Sequence, residues 1–231
     1  GSYKLLNLQK KKLNNQIKIK IINNNFKISD LKDSALPVYN IEYNQKRAFE
    51  KISNKSNKYI FKCFETAIGL FKKKKIFGFI NCPISKESLF KNKHIGITEF
   101  LSKKIGKKNN EVMLIYNKEL SVSPITTHIP LDQVAKKINH INIVKKIKII
   151  NNFYKKNFKR KPYFGILGLN PHNYYKSKKS KEKKMIEKTM KNLSKMKIKA
   201  KGPISPDSSF LIFKKYKFDV IVGMYHDQVL S

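Results

Sequence analysis

The sequence predicts an α/β protein with a mostly parallel or mixed sheet, and three observations lead there. Short apolar runs of strand length alternate with longer stretches in which apolar residues recur every three or four positions. Polar, metal-competent residues sit just past several of those runs, where open α/β sheets gather their ligands. The chain has 231 residues, 40% of them hydrophobic, enough for one large core or two smaller ones.

Taken in order, residues 10–25 are low in complexity, but Ile17, Ile19 and Ile21 alternate with lysines in the period of an edge strand. Over 44–75 the pattern is helical, with Ile60, Phe64, Ala67 and Phe71 on one face. Four lysines at 72–75 favour a helix C-terminus, and the apolar run 76–81 predicts a strand directly after it. A helical piece at 98–104, a strand at 111–116 and an apolar segment at 120–125 follow, then a loop at 127–130. Leu131, Val134 and Ile138 begin a helix, and Ile143, Ile147, Ile150 and Tyr154 continue helical spacing after a break at Asn139-His140. Residues 163–169 read as a strand, Ile186, Met190 and Leu193 as the inner face of a lysine-rich helix, and 218–224 as a final buried strand. No internal repeat is visible.

The formal charge of +36 would by itself suggest a nucleic acid or an anionic membrane as partner. Arginine, however, occurs only at Arg47 and Arg160, whereas sites that grip phosphates or guanine edges favour its bidentate fork. The lysines are spread along the whole chain among abundant Asn, Ile, Phe and Tyr, which reads as a compositional bias laid over an ordinary enzyme. A nucleic-acid partner is therefore not expected. No apolar run approaches the roughly 20 residues needed to cross a bilayer. Gly1-Ser2 reads as an expression scar with no apolar leader core behind it, so a cytoplasmic protein is expected. Cys63 and Cys82 have no framework spacing and read as reduced thiols.

Three segments carry candidate chemistry: Thr126-Thr127-His128-Ile129-Pro130-Leu131, Gly168-Leu169-Asn170-Pro171-His172 and Gly223-Met224-Tyr225-His226-Asp227-Gln228. Each supplies one histidine, and neutral imidazole is a good ligand for zinc, cobalt, nickel or iron. Taken alone, each of these histidines is more often a capping or hydrogen-bonded loop residue than a ligand. Asp227 could cap a helix, Asp207 has a stronger claim as an N-cap, and Lys86 could be one more solvated lysine.

Those segments do not stand alone. In order and approximate spacing, Cys82-Pro83-Ile84-Ser85-Lys86, Gly96-Ile97-Thr98-Glu99-Phe100, residues 126–131, residues 169–172, Gly202-Pro203-Ile204-Ser205-Pro206-Asp207 and Tyr225-His226-Asp227-Gln228 resemble the signatures of the 4-hydroxythreonine-4-phosphate dehydrogenase family. The resemblance covers roughly 77–230. It implies a two-domain α/β/α subunit similar to isocitrate and isopropylmalate dehydrogenases, divided here into 1–93 and 94–231. It also implies a homodimer with a shared active site in the cleft between domains. His128 and His172 would bind a divalent metal (zinc, cobalt, magnesium or manganese) with His226 contributed by the partner subunit. Asp207 and Asp227 would stand close by as catalytic groups, and Thr98 would help bind the phosphorylated substrate. The implied reaction is NAD-dependent oxidation of 4-phosphohydroxy-L-threonine, then decarboxylation to 3-amino-2-oxopropyl phosphate in pyridoxal 5′-phosphate (vitamin B6) biosynthesis. A Gly-x-Gly-x-x-Gly dinucleotide fingerprint is absent, which agrees with that family's different cofactor mode.

The sequence departs from the family pattern in four ways. It is expected to lack the Gly-Asp-Pro-rich opening, and also the segment after the third histidine that carries phosphate-binding Lys, Asn and Arg and much of the NAD contact. Ile97 replaces a substrate-contacting histidine, with His94 three residues away, and Cys82 replaces a glycine. Tyr174 falls in a stretch that is usually rich in Gly and Glu. These departures keep three alternatives in view: a dehydrogenase for threonate or erythronate phosphate, an inactive relative or fragment, and a lysine-rich nucleic-acid-binding module.

Overall fold

The computed structural model describes all residues except 33, 92–95, 107–109, 172–179 and 231. The chain forms two compact units, Gly1–Lys108 and Asn109–Ser231. The boundary expected after Lys93 lies outside the described residues.

In the first unit the chain start is built into the structure. The Gly1 ammonium donates to the Tyr39 carbonyl at 3.0 Å, and the Ser2 hydroxyl accepts from the Leu5 N–H at 3.3 Å, capping helix α1 (Tyr3–Lys12). Strand β1 (Ile19–Ile22) pairs in parallel with β2 (Leu36–Tyr39), Ile19 facing Leu36. The helix expected over 44–75 is α2 (Asn57–Lys72); its residues Phe64 and Ile68 are buried, while Phe71 is exposed. The buried face follows the aromatic cluster it meets. Phe64 packs with Leu89 and Phe90 of α3 (Lys86–Phe90) and Phe100 of α4 (Ile97–Lys104), with the Phe90 and Phe100 rings 5.2 Å apart. Lys86 thus opens a short helix capped by Ser85, whose hydroxyl accepts from the Ser88 N–H at 3.2 Å.

The strand expected at 76–81 is not formed. Phe77 and Ile80 are 106% and 99% exposed, and no described strand pairs with them. An apolar run becomes a strand only where a neighbour takes its backbone hydrogen bonds, and periodicity does not report whether that neighbour exists.

The second unit is a four-stranded parallel sheet in the order β3-β6-β4-β5, made of β3 (Ser121–Pro124), β4 (Phe164–Leu167), β5 (Ala200–Ile204) and β6 (Val220–Gly223). Every residue of β4 and β6 is buried, as expected of central parallel strands. Of the strand expected at 111–116, only Ile115 pairs, as an antiparallel bridge to Val122. Strand β5 has no apolar run to announce it. Its Gly202 lies where a Cβ would come within 2.7 Å of the Ile166 carbonyl, so a glycine is needed for β4 and β5 to meet.

Helices cover the sheet: α5 (Leu131–Lys137), α6 (His140–Phe158), α7 (Lys181–Lys195), α8 (Pro206–Tyr216) and the short α9 (Asp227–Leu230). The break at Asn139-His140 is a helix start, with the Asn139 side chain accepting from the Asn142 N–H at 2.9 Å. Helix α6 buries Ile143, Ile147, Ile150 and Tyr154, its predicted stripe, against Ile186 and Leu193 of α7 and Phe164, Val220 and Val222 of the sheet. Full burial of such side chains stabilises by about 1.5–3 kcal/mol each. Tyr154 keeps its polar end satisfied by donating to the Ser121 hydroxyl at 2.8 Å, and burial pushes its phenol up from the ordinary value.

Among the described residues no helix is long and apolar enough to cross a membrane.

Candidate active site

Because the four strands run in parallel, all of their C-terminal ends open on one edge of the sheet, where α/β proteins collect ligands. The segments singled out in the sequence leave from that edge. Residues 126–131 follow β3, residues 168–171 follow β4, Ser205 to Asp207 follow β5, and Tyr225 to Gln228 follow β6.

Strands β3 and β6 are neighbours, and this brings His128 and His226 together. Their ring centroids lie 6.0 Å apart with the planes inclined at 38°. Between them opens a cavity of about 300 Å³ lined by Thr127, His128, Leu131, Tyr225, His226 and Asp227, among others. The His226 Nδ1 pairs with the Asp227 carboxylate at 2.7 Å. With the Nδ1 proton directed at that oxygen, Nε2 is left as the coordinating nitrogen, the arrangement in which a carboxylate orients a metal-binding imidazole.

Neutral imidazole suits a divalent ion by its chemistry, and both His128 and His226 stand at this sheet edge. Among the described residues no group of three His, Cys, Asp or Glu side chains converges on one point. His172, the third histidine of the predicted set, lies outside the described residues, as do His94 and Tyr174.

The remaining predicted residues are placed as follows. Asp227 begins α9 and is exposed. Asp207 is also exposed, in the first turn of α8, but it is not the N-cap. Ser205 holds that position and donates its hydroxyl to the Asp207 carboxylate, because Pro206, with fixed φ and no N–H, occupies the first helical residue. Thr98 is exposed in the first turn of α4, in the first unit. Its neighbour Ile97 packs against the Phe64, Leu89, Phe90 and Phe100 cluster, so the side chain that replaces the family histidine belongs to the core.

The strand exits are joined by bonds that sequence reasoning missed. The Thr126 hydroxyl donates to the Met224 carbonyl at 2.7 Å, linking the His128 and His226 segments. Gln228 folds back so that its Oε1 accepts from the Met224 N–H at 2.6 Å, while its Nε2 donates to the Gly168 carbonyl at 2.7 Å. Glu182 of α7 accepts from the Leu169 N–H and from Asn170 Nδ2, both at 2.5 Å. A single carboxylate in the first turn of a helix otherwise rich in lysine was the available signal for Glu182.

With this geometry in hand, comparison with known proteins identifies the lineage. The family model described as pyridoxal phosphate biosynthetic protein PdxA matches residues 1–231. The chain belongs to the PdxA family. It is 34% identical over 234 residues to a 4-hydroxythreonine-4-phosphate dehydrogenase of Sulfurihydrogenibium sp., covering 100% of this chain and 70% of that protein. An Oceanobacillus iheyensis protein provisionally named D-threonate 4-phosphate dehydrogenase is 30% identical, with 78% of this chain and 55% of that protein covered. In structure, a 4-hydroxythreonine-4-phosphate dehydrogenase from Burkholderia phymatum superposes with a TM-score of 0.80 at 24% identity, covering 99% of this chain and 70% of that one. That likeness establishes the dehydrogenase-like α/β fold that the sequence predicts. Against these curated relatives the chain spans from 45% to 70% of their length.

Proposed function

We propose that this PdxA-family chain takes part in the NAD-dependent, divalent-metal-dependent oxidation of 4-phosphohydroxy-L-threonine. Decarboxylation to 3-amino-2-oxopropyl phosphate would follow, as a step of pyridoxal 5′-phosphate synthesis. The observation that carries this reading is that the family motifs bearing His128, Asp207 and His226 all leave the strands at the C-terminal edge of one parallel sheet.

In this reading His128 and His172 hold zinc, cobalt, magnesium or manganese together with the partner subunit's His226, at an active site shared between the subunits of a homodimer. The metal, when bound, supplies a Lewis acid at the substrate hydroxyl, stabilising the negative charge that develops there during oxidation and decarboxylation. Asp227 keeps the His226 ring turned and its tautomer defined. Asp207, exposed in the first turn of α8, takes up a substrate proton or faces its ammonium group in this reading. Thr98 contacts the phosphorylated end of the substrate, and NAD accepts the hydride.

Metal content and subunit mass of the purified chain, beside a variant carrying His128→Ala, His172→Ala and His226→Ala, test this reading. Stoichiometric metal in a dimer, lost in the variant, supports it and leads to an assay of NADH formation with 4-phosphohydroxy-L-threonine. Equal and negligible metal in both proteins would remove the metal-dependent mechanism from this chain.

A second reading, oxidation of threonate or erythronate 4-phosphate, is favoured by one feature. Ile97 is turned into the aromatic cluster where the family pattern has a substrate-contacting histidine. Turnover of D-threonate 4-phosphate in preference to 4-phosphohydroxy-L-threonine would select it.

A further inference from the structure

The first unit carries a cavity of its own. It holds about 530 Å³, within the roughly 300–1,000 Å³ of small-molecule sites, and every residue that lines it belongs to that unit. One wall is drawn from residues 43–53, which have no regular secondary structure, and the other from the start of α2 and residues 82–89. Its charge is unlike that of the chain. Of 231 residues 51 are Lys or Arg, yet Lys51 is the one cation among the twenty lining residues, and Glu50 offsets it. The two cavities lined by α6 and α7 carry three lysines each. A site so depleted in cations selects for an uncharged ligand, since an anion finds stronger fields elsewhere on this surface.

The polar lining is arranged in advance. Gln9 of α1 donates through Nε2 to the Ala48 carbonyl at 3.2 Å, and Gln45 donates through Nε2 to the Arg47 carbonyl at 2.7 Å. Asn57 of α2 donates through Nδ2 to the Ser88 carbonyl at 2.7 Å. These bonds hold irregular backbone in place and fix each amide, because a carboxamide oxygen turned to the same carbonyl would repel it. Gln9 Oε1, Gln45 Oε1 and Asn57 Oδ1 then accept no hydrogen bond among the described residues. Three fixed acceptors suit a ligand that brings N–H or O–H donors. The apolar part of the lining suits a flat ring: Tyr43 and Tyr59 stack with centroids 4.6 Å apart, and Phe49 and Ile52 are 56% and 79% exposed. We propose that this cavity binds an uncharged nucleoside, its base against Phe49 and its N–H and O–H groups on the three amide oxygens. The proposal does not depend on the metal-binding reading, whose histidines belong to the second unit.

Cys82 supplies the readout, because it is exposed and lines the cavity. The rate at which iodoacetamide alkylates Cys82 in the full chain is followed by peptide mass while adenosine, the probe, is titrated in. Adenosine is expected to slow the reaction saturably, with the same half-saturation at low and high sodium chloride, since no charge pairing is involved. Phe49→Ala removes an exposed ring and should raise the half-saturation roughly 10–100-fold. Gln9→Leu removes one acceptor and should raise it roughly 3–10-fold. Ile68→Val, a core change in α2 outside the lining, controls for general loosening and is expected to lower thermal stability with protection by adenosine unchanged.

Should Gln9→Leu fail to fold, the exposed Phe49→Ala decides the matter. Alkylation of Cys82 that adenosine does not slow up to its solubility limit overturns the proposal, as does protection that neither variant weakens. Adenosine 5′-monophosphate or NAD protecting more strongly than adenosine, with an effect that fades as salt rises, overturns it as well, because lysines outside the cavity would then be holding phosphate. None of these outcomes touches the metal content of the chain, so the metal-binding reading stands or falls separately.

Discussion

A histidine is a ligand only when something holds its other nitrogen and something else brings a second donor to it. His226 meets the first condition through Asp227 on Nδ1, and in the proposed shared site its fellow donors belong to the other subunit. Loss of either ring, in His128→Ala or His226→Ala, is expected to weaken metal binding by more than the roughly 100-fold upper range for loss of an orienting partner. Asp227→Ala should fall within about 10–100-fold, and a metal titration of the three variants orders them. Tyr59, in the first unit, makes a separate prediction. Burial pushes its phenol from the ordinary 10.0 up to about 12. The fold therefore favours the neutral phenol, and this contribution is full below pH 10 and lost as pH rises towards 12. Ultraviolet titration should show one tyrosine ionising near the upper limit, absent in Tyr59→Phe, and that variant's stability should fall less steeply over the same interval.

Helix α6 was the most legible element, because apolar residues spaced for one face were all buried as predicted and Asn139 marked its start. Ile147→Ala leaves a cavity between α6, α7 and the sheet, and is expected to cost about 2–5 kcal/mol in chemical denaturation. Strand β5 was illegible for the opposite reason. Its residues Ala200 to Ile204 include a glycine and a proline, and what makes them a strand is contact with β4. Gly202→Ala forces a methyl against the Ile166 carbonyl and should destabilise by about 1–3 kcal/mol, displacing the Asp207 turn that follows β5. The run 76–81 shows the converse error, an apolar pattern with no described ladder to join.

At the scale of the molecule, a formal charge of +36 over 231 residues sets its solution behaviour more than its chemistry. Self-repulsion among the lysines should make thermal stability rise with ionic strength, since screening shortens the reach of each charge to about 8–10 Å near physiological salt. A scan of unfolding temperature against sodium chloride checks this. Any binding to nucleic acid is expected to fall steeply with salt and to ignore removal of metal, whereas the site at the sheet edge should respond to metal and little to salt. Metal at a hundred times its dissociation constant should add about 2.7 kcal/mol to the stability of the metal-binding chain, and none to the triple histidine variant.

By itself the sequence determined the α/β class, most helices of the second unit, the burial of β4 and β6, and the motifs that resemble the PdxA family. Those properties are local: side-chain period, caps, and short strings of chemically distinctive residues. Only the tertiary structure decided that β6, last in the chain, lies between β3 and β4 and so sets His226 beside His128. It alone showed Thr126, Gln228 and Glu182 binding the strand exits, and Ile97 turned into an aromatic core. The physical reason is that strand order follows from which buried faces and backbone groups satisfy one another across long separations in the chain, and no window of neighbouring residues contains that information.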